Sequence, residues 1–405
     1  MDYKLSYGKT RISIPLQGQE EFIRVNPPGD SPDKKVFMDE LSSCIKQSPS
    51  TAGIIVSDKT RICEYDKFLP WLTEALNNKG IGNNSIRFYV AYGTHPRQSE
   101  KESLDIYGDT YNKFAFVHHD CDDAAVMISL GTTKRGTEVK IRKDIFSHDL
   151  LILFGSLSHH YFAGYGGGRK LLFPGLAGRQ SIYANHKLYI DFENTMLQPG
   201  CRSGNLEGNP LAEDLLEIDN MMPEKVIISG IPGKGGRISS LLTGSTYNDF
   251  LSACKLYDSY YRKESKSSYD NVIASAGGYP KDINFIQSHK SLHNAASFVR
   301  DRGNLFLLAE CSDGIGNDEF LSLFTGGTKK DIFDKLKIDY TGNGGTALSL
   351  LSKTERINVH MITSLGKNIC NALNINCMEP GELQSATGRL KGKTALIENA
   401  SMLYC

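Results

Sequence analysis

The sequence predicts an α/β fold of two domains. Three observations point there. Short β-branched runs alternate with longer helical stretches along the whole chain. The 405 residues are enough for two domains of ordinary size. The alternation halts at one strongly polar stretch, Lys263–Ser268 (KESKSS), and then restarts.

The elements follow in order. Thr51–Asp58 (TAGIIVSD) reads as a buried strand ending in polar residues, Phe68–Asn77 as a helix, and Ser85–Ala91 (SIRFYVA) as a strand that runs into Gly93-Thr94-His95. Lys113–His118 and Asp149–Phe154 (DLLILF) are further strands, Ser181–His186 lies on a helix, and Lys225–Ile231 is a strand. A polar helix leads into the linker. Beyond it come strand Tyr269–Ala274, helix Phe285–Val299, and strands Asn304–Ala309, Arg356–Thr363 and Thr394–Glu398. The expected domains are therefore 1–267 and 268–405, with an active-site cleft between them. In open α/β sheets ligands sit beyond the carboxyl ends of the strands, which would bring Asp58 and His95 to a common cleft.

Composition narrows the function classes. Lys+Arg and Asp+Glu both total 46, so there is no basic excess of the kind a general nucleic-acid binder carries. Forty per cent hydrophobic and 23% charged residues fit a chain with a sizeable core. No apolar run reaches membrane-spanning length and the first residues do not resemble a secretory leader, so no membrane association is expected. The nine cysteines are odd in number and scattered, with no C-x-x-C. A disulfide framework or structural zinc site is not expected, and the cytoplasm is the expected home.

Three motifs invite a reading and fail it. Gly342-x-Gly344-x-x-Ala347 matches a loose dinucleotide fingerprint, but a poor strand precedes it and no acid follows about 20 residues on. Gly388 to Thr394 resembles a phosphate loop one residue short, and it runs into a strand. His118-His119-Asp120-Cys121-Asp122-Asp123 looks like a metal cluster, yet adjacent side chains on a strand point to opposite faces; a strand-end turn is preferred.

The informative segment is His159-His160-Tyr161-Phe162-Ala163-Gly164-Tyr165-Gly166-Gly167-Gly168-Arg169-Lys170, directly after the strand DLLILFGS. Its glycines allow positive φ and close approach, and Arg169 and Lys170 add charge. A phosphate cradle is favoured over a plain flexible turn. Four of the ten histidines (His95, His159, His160, His186) lie at strand ends or near this loop. Their convergence would suggest proton transfer or metal ligation. Asp58-x-Thr60-Arg61 could supply a carboxylate for a ribose and a guanidinium for an acid or phosphate.

Taken together and in this order, Asp58-x-Thr60-Arg61, Gly93-Thr94-His95, His160-x-Phe162-Ala163-Gly164, Gly167-Gly168-Arg169-Lys170, Pro174-Gly175, Asn185-His186 and Gln287-x-x-Lys290 resemble the nickel-pincer nucleotide-dependent lactate racemase family, from about residue 50 to about residue 300. The resemblance implies a racemase or epimerase of 2-hydroxy acids, working by proton-coupled hydride transfer. It implies a nickel-pincer nucleotide, a pyridinium mononucleotide whose two sulfur arms grip nickel, tethered to Lys170. His186 would complete the nickel's square plane. Asp58, Lys59, Thr60, Arg61, Gly166, Gly167 and Gly168 would bind cofactor. Arg61, Gln287 and Lys290 would bind substrate, and His95 and His160 would be the catalytic pair, one base for each enantiomer. Enzymes that synthesise the cofactor would be partners in maturation. Ile286 stands where a lactate enzyme would carry an aromatic residue, Tyr165-Gly166 replaces a Phe-Ser-like pair, and Ser158-His159 stands where an acidic-proline pair can occur. These departures point to a longer or more polar 2-hydroxy acid than lactate, with His159 a candidate contact or a packing residue. Two other readings remain: a zinc-dependent hydrolase or lyase using the same histidines, and a non-catalytic nucleotide-binding module.

Overall fold

A computed structural model describes residues 2–404 except 16, 47, 62, 264–268, 318, 325–327 and 342. The expected linker therefore lies, apart from Lys263, outside the described residues, as does Gly342 of the dinucleotide-like motif. The chain is α/β throughout and divides into two compact units. One comprises Pro27–Leu188 and Gly200–Tyr260; the other Met1–Asn26, Tyr189–Pro199 and Tyr261–Cys405.

The first unit is built on a six-stranded sheet in the order Ile238–Gly244, Lys225–Pro232, Leu150–Ser156, Ala52–Ser57, Ile86–Ala91, Ala115–His118. All neighbours are parallel except the antiparallel edge strand Ile238–Gly244. Buried on both faces, the central strands are near-continuous apolar runs, as parallel strands must be. Ala52–Ser57 is buried at every position. Helices Lys34–Cys44 and Tyr65–Asn78 pack Phe37, Leu41, Phe68, Leu72 and Leu76 against Ile54, Val56, Phe88 and Phe154.

The second unit holds six parallel strands in the order Asn376–Met378, Asn358–Ile362, Val299–Leu308, Tyr269–Ser275, Thr394–Ile397, Glu21–Ile23. The first 26 residues, expected in the N-terminal domain, belong here. Glu21–Ile23 pairs with Thr394–Ile397 as the edge strand. The hairpin Asp2–Tyr7 and Thr10–Pro15 buries Leu5 and Ile14 against Ile273, Leu308 and Leu396. A single inward residue on each hairpin strand is too faint a period-2 signal to assign the segment to a distant sheet. The two compact units part between Tyr260 and Tyr261, and Arg262 bridges to Tyr404.

Other expectations need small corrections. The helix from Phe285 ends at Ala296, and Val299 already opens the strand Val299–Leu308, paired with Tyr269 ahead of a register shift. The hairpin Met127–Thr132 with Glu138–Arg142 and the helices Lys329–Ile338, Gly344–Thr354, Lys367–Ala372 and Pro380–Thr387 were not expected. The segment around Gly388 forms a turn into Thr394–Ile397, as expected, with the Lys393 N–H donating to Asp270 at 2.7 Å. Among the described residues no helix is long and apolar enough to cross a membrane.

Helices Phe285–Ala296 and Gly344–Thr354 enclose a polar seam. His289 and His293 lie one turn apart with ring centroids 6.4 Å apart, and Lys353 donates to Ser349 Oγ at 3.0 Å. Burial, with Lys353 nearby, holds both imidazoles well below their ordinary range. The unfolded chain therefore takes up these protons first as pH falls. Stability should be lost progressively below the ordinary histidine range of about 6.5, by up to about 1.4 kcal/mol per pH unit for each ring that stays neutral, and be insensitive to these groups above it. Urea unfolding between about pH 7 and pH 5 should show this slope, and His289→Leu should make it shallower by roughly one ring's share.

Candidate active site

The strand Ala52–Ser57 lies between Leu150–Ser156 and Ile86–Ala91. From it the chain proceeds to one side of the sheet and later returns on the other, which makes the carboxyl edge between Ala52–Ser57 and Leu150–Ser156 a topological switch point. Pairing of these two strands ends at Val56 and Phe154. There the buried Tyr65 hydroxyl accepts the Ser57 N–H at 2.7 Å and donates to the Phe154 carbonyl at 2.7 Å. Tyr107 donates to the Ser57 carbonyl at 2.9 Å. Three loops leave this edge, and they carry Asp58, His95 and the His160–Lys170 segment.

Asp58 is buried. Its Oδ2 accepts from His95 Nδ1 at 2.6 Å, and its Oδ1 accepts the Thr60 N–H at 3.0 Å and the Thr60 hydroxyl at 2.6 Å. Burial alone would raise this carboxyl, but His95, Arg61 and the Thr60 hydrogen bond outweigh it and hold the group well below the usual carboxylate range. Both oxygens of Asp58 accept hydrogen bonds from His95 and Thr60. Arg61 donates to Thr60 Oγ1 at 2.9 Å. The Lys59 ammonium pairs with Glu102 at 2.6 Å and its N–H donates to Gln98 at 2.9 Å. His95 is placed by a turn whose Gly93 N–H donates to the Gly175 carbonyl at 2.9 Å. Gly175 has no room for a side chain, since a Cβ would stand 2.1 Å from the Leu171 carbonyl oxygen. This contact explains why the Gly-Thr-His and Pro-Gly pieces occur together.

The glycine loop also packs closely against the chain itself. Gly164 and Gly167 have φ of +79° and +82°, and a Cβ on them would stand 2.5 Å from the Asn205 carbonyl oxygen and 2.6 Å from that of Ser156. A Cβ on Gly166 would meet Ser158 Oγ at 2.8 Å, and one on Gly168 the Phe250 ring at 3.0 Å. The close approach these glycines permit is of the protein's own chain. Arg169 is likewise turned inward: it is buried, donates to the Ala212 carbonyl at 3.1 Å and lies over Tyr247 and Phe250. Its charge still bears on Lys170, the next residue in the same short helical turn Gly168–Leu171.

Phe162 is the hub of what remains. Its ring lies 4.4 Å from His160 and 5.2 Å from His186, and the Lys170 amine sits 5.7 Å from its centroid. Burial, with Arg61 and Arg169 adding repulsion, pushes the Lys170 amine down to about 7. Burial, with Lys170 and His95 nearby, pushes His186 down to about 3. His186 lies in the last turn of the helix Arg179–Lys187, whose Asn185 is anchored to Asp214 at 2.8 Å. His160 Nδ1 accepts the Ala163 N–H at 3.3 Å. Asp58, Thr60, Arg61, His95, His160, Lys170 and His186 thus belong to one unit and converge on one edge of its sheet.

Other histidines are structural. His159 pairs with Asp258 at 2.7 Å, packs on Tyr257 and has an almost wholly buried side chain, as a packing residue would. His118 bonds Tyr92 and Tyr111, and His119 bonds the Ala177 carbonyl. Asp120, Cys121 and Asp122 do come within 4.8 Å of one another, but both Asp122 oxygens already accept from Arg179. The strand-end turn is the better reading of that segment. Gln287 and Lys290 lie in the other unit, on the first turns of a helix capped by Asn284, with Lys290 Nζ donating to Gln287 Oε1 at 2.7 Å. Tyr65, Tyr107 and Asp258 escaped the sequence reading, since an isolated tyrosine or aspartate carries no local signal of its partner.

Chemically, the edge offers an anchored imidazole with a carboxylate behind it, a second imidazole, a neutral buried imidazole and an amine pushed down to about 7. Comparison with known proteins agrees with this setting. The chain matches the lactate racemase N-terminal domain over residues 31–197 and the lactate racemase C-terminal domain over residues 264–343. A lactate racemase of Thermoanaerobacterium thermosaccharolyticum is 31% identical over 272 residues, 67% of this chain and 62% of that protein. A lactate racemase of Lactiplantibacillus plantarum is 31% identical over 292 residues, 71% of this chain and 66% of that protein. Each match spans just under two thirds of the relative's length. The structure of the lactate racemase apoprotein from T. thermosaccharolyticum superposes with a TM-score of 0.85 at 24% identity, covering 100% of this chain and 99% of that one. A Thermotoga maritima protein gives 0.72 at 15% identity, covering 93% and 99%. At these identities the superpositions speak for the fold.

The depressed amine has a measurable consequence. An amine-selective acylating reagent should modify Lys170 with a midpoint near pH 7, when ordinary lysines, at about 10.4, are still ammonium ions. Arg61→Gln removes one nearby cation and should move that midpoint upward. Peptide mass spectrometry across a pH series reads both; a Lys170 midpoint level with the exposed lysines would contradict the account.

Proposed function

The chain belongs to the lactate racemase family, and from that premise we propose that it is an isomerase that inverts the α-carbon of a 2-hydroxy acid with a nickel-pincer nucleotide. The observation that carries the proposal is the gathering of His160, His186 and Lys170 around Phe162, with the Asp58–His95 pair at the same sheet edge and near His186.

The residues suit the group. A neutral imidazole presents a lone pair to a metal, and His186 stays neutral throughout the physiological range. An amine near neutrality is nucleophilic enough to be acylated, which fits Lys170 as a covalent anchor. A guanidinium beside it, Arg61, can fork onto a phosphate or carboxylate. Gly166–Gly168 and the Asp58–Arg61 turn would form the bed of the cofactor. When bound, the nickel-pincer nucleotide supplies an acceptor for the α-hydrogen as hydride. The chain's own work is with the other hydrogen. The α-hydrogen of a hydroxycarboxylate is a poor acid, but it departs readily as hydride once the hydroxyl proton is taken. His95, braced by Asp58, and His160 are the groups that handle that proton. Gln287 and Lys290 are proposed to hold the substrate carboxylate. Ile286, with its N–H bonded to the Ile315 carbonyl, replaces an aromatic ring beside them and favours a longer or more polar acid, such as a sugar acid or a dicarboxylate.

Protein produced together with the cofactor pathway should erase the optical rotation of one or more enantiopure 2-hydroxy acids. His95→Ala and His160→Ala should each lower turnover by about a hundredfold or more. His186→Ala should lose nickel, and Lys170→Ala the covalent adduct. Run in deuterium oxide, the product should keep its original α-hydrogen. Full exchange of that hydrogen with solvent would point to simple proton abstraction and against the proposal.

A further inference from the structure

His186 sits in a helix that depends on its neighbours. Arg179–Lys187 has nine residues, its N-cap Gly178 makes no side-chain cap bond, and the first long segment of its unit ends at Leu188, two residues past His186. Helices this short are marginal in water and take their place from tertiary contacts. Two polar side chains one turn apart on the buried face supply them here. Ser181 Oγ donates to the Glu138 carbonyl at 2.5 Å and accepts the Lys140 N–H at 2.9 Å, which ties the first half of the helix to the strand Glu138–Arg142. Asn185 Nδ2 donates to Asp214 Oδ2 at 2.8 Å and to the Leu211 carbonyl at 3.4 Å. Asn185 is fully buried, and its Oδ1 has no hydrogen-bond partner among the described residues. The amide is thus held by its NH2 end, the end that an acceptor-only carboxylate selects.

Asp214 is buried on the helix Pro210–Asn220, and three neutral donors satisfy it. The Thr133 hydroxyl donates to Oδ1 at 2.5 Å; the Thr137 hydroxyl, at 2.8 Å, and the Asn185 amide donate to Oδ2. The two threonines close the turn of the hairpin Met127–Thr132 with Glu138–Arg142, the Thr133 N–H donating to the Thr137 carbonyl at 3.0 Å. One carboxylate therefore joins a hairpin turn and two helices. We propose that Asp214 is the positioning residue for His186: it locks Asn185, and through it the last turn of the helix, so that the imidazole is held against the Phe162 ring. This rests on the racemase reading for the metal, though not for the anchor. Groups behind a metal ligand commonly aim it, and their loss costs about 10–100-fold in metal affinity. A site also has to be held to within about 0.5 Å of its working geometry. The structure aims His186 from one residue away, through its helix, and Asp214 is where that helix end is fixed.

Three variants separate this anchor from general stability. Asn185→Ala cuts the link to the helix, Asp214→Asn replaces the carboxylate with a group of the same shape, and Thr137→Val removes a neighbouring donor while the Asn185 link stays. All three should lower the urea midpoint. In protein produced together with the cofactor pathway, a chelator should strip nickel about 10–100-fold faster from Asn185→Ala and Asp214→Asn than from wild type, and at close to the wild-type rate from Thr137→Val. The adduct mass on Lys170 should be kept in all three. Nickel loss that merely follows the urea midpoint through the series would overturn the proposal. In cofactor-free protein with labelled histidines, His186→Gln assigns the ring signal. That signal should split or broaden in Asn185→Ala and Asp214→Asn and stay in place in Thr137→Val. A signal unmoved in the first two would also overturn the proposal, whatever the protein catalyses. A wild type that takes up neither adduct nor nickel, with the ring signal responding as expected, would instead sink the functional proposal and leave the anchor standing.

Discussion

The Tyr65 hydroxyl, lodged where two central strands part, is the contact on which the rest of the site depends. Parallel strands at a switch point must diverge at their carboxyl ends, and the backbone groups just past the last pair lose their partners. Tyr65 takes the Ser57 N–H and gives its own hydrogen to the Phe154 carbonyl, so the gap opens without leaving buried polar groups unpaired. The residue after Ser57 is Asp58, and the strand that holds Phe154 leads into His160 and Lys170. One phenol thus sets the starting points of both functional loops. Burial raises that phenol well above its ordinary range, so it stays a donor at any working pH.

From that edge outward, burial sorts the charges. The site unit keeps one carboxylate ionised, because His95, Arg61 and Thr60 compensate Asp58 for its lost water. It pushes the Lys170 amine down to about 7 and His186 down to about 3, chiefly by burial, with the cations around them adding repulsion. Burial disfavours the charged form of all three, and only at Asp58 do neighbouring charge and hydrogen bonds outweigh it. Phe162 reinforces this by placing an aromatic face between His160, His186 and Lys170, where a polar side chain would have readmitted water.

Much of the site was legible in the sequence because it is local. Asp58-x-Thr60-Arg61 is a strand-end turn read from one strand, and His160 to Lys170 is one continuous segment. What was not legible was long-range. The glycine run was read as a bed for phosphate, yet at Gly164 and Gly167 it admits the carbonyls of Asn205 and Ser156. The imidazole partner of Asp58 lies 37 residues away, beyond any local pattern. The opening hairpin belongs with strands more than 250 residues later, a pairing no local pattern encodes. His159 and His160 are neighbours in sequence and alike in chemistry. Strand alternation alone separates them, sending one to Asp258 and the other to the functional edge.

These long-range contacts also show why the loop tolerates so little change. Gly175 lies within hydrogen-bond reach of the His95 turn and has no space for a methyl group beside the Leu171 carbonyl. Gly167 both adopts a left-handed conformation and abuts the Ser156 carbonyl just ahead of Lys170. Adding a side chain at either point demands a backbone shift, and overpacking of this kind costs roughly 1–3 kcal/mol. The shift, more than the energy, is the functional cost. Lys170 is three residues from Gly167 and five from Gly175, so a displacement of either glycine moves the amine relative to Phe162. Positions that pack the chain against itself and positions that aim the reacting groups are, in this segment, the same residues.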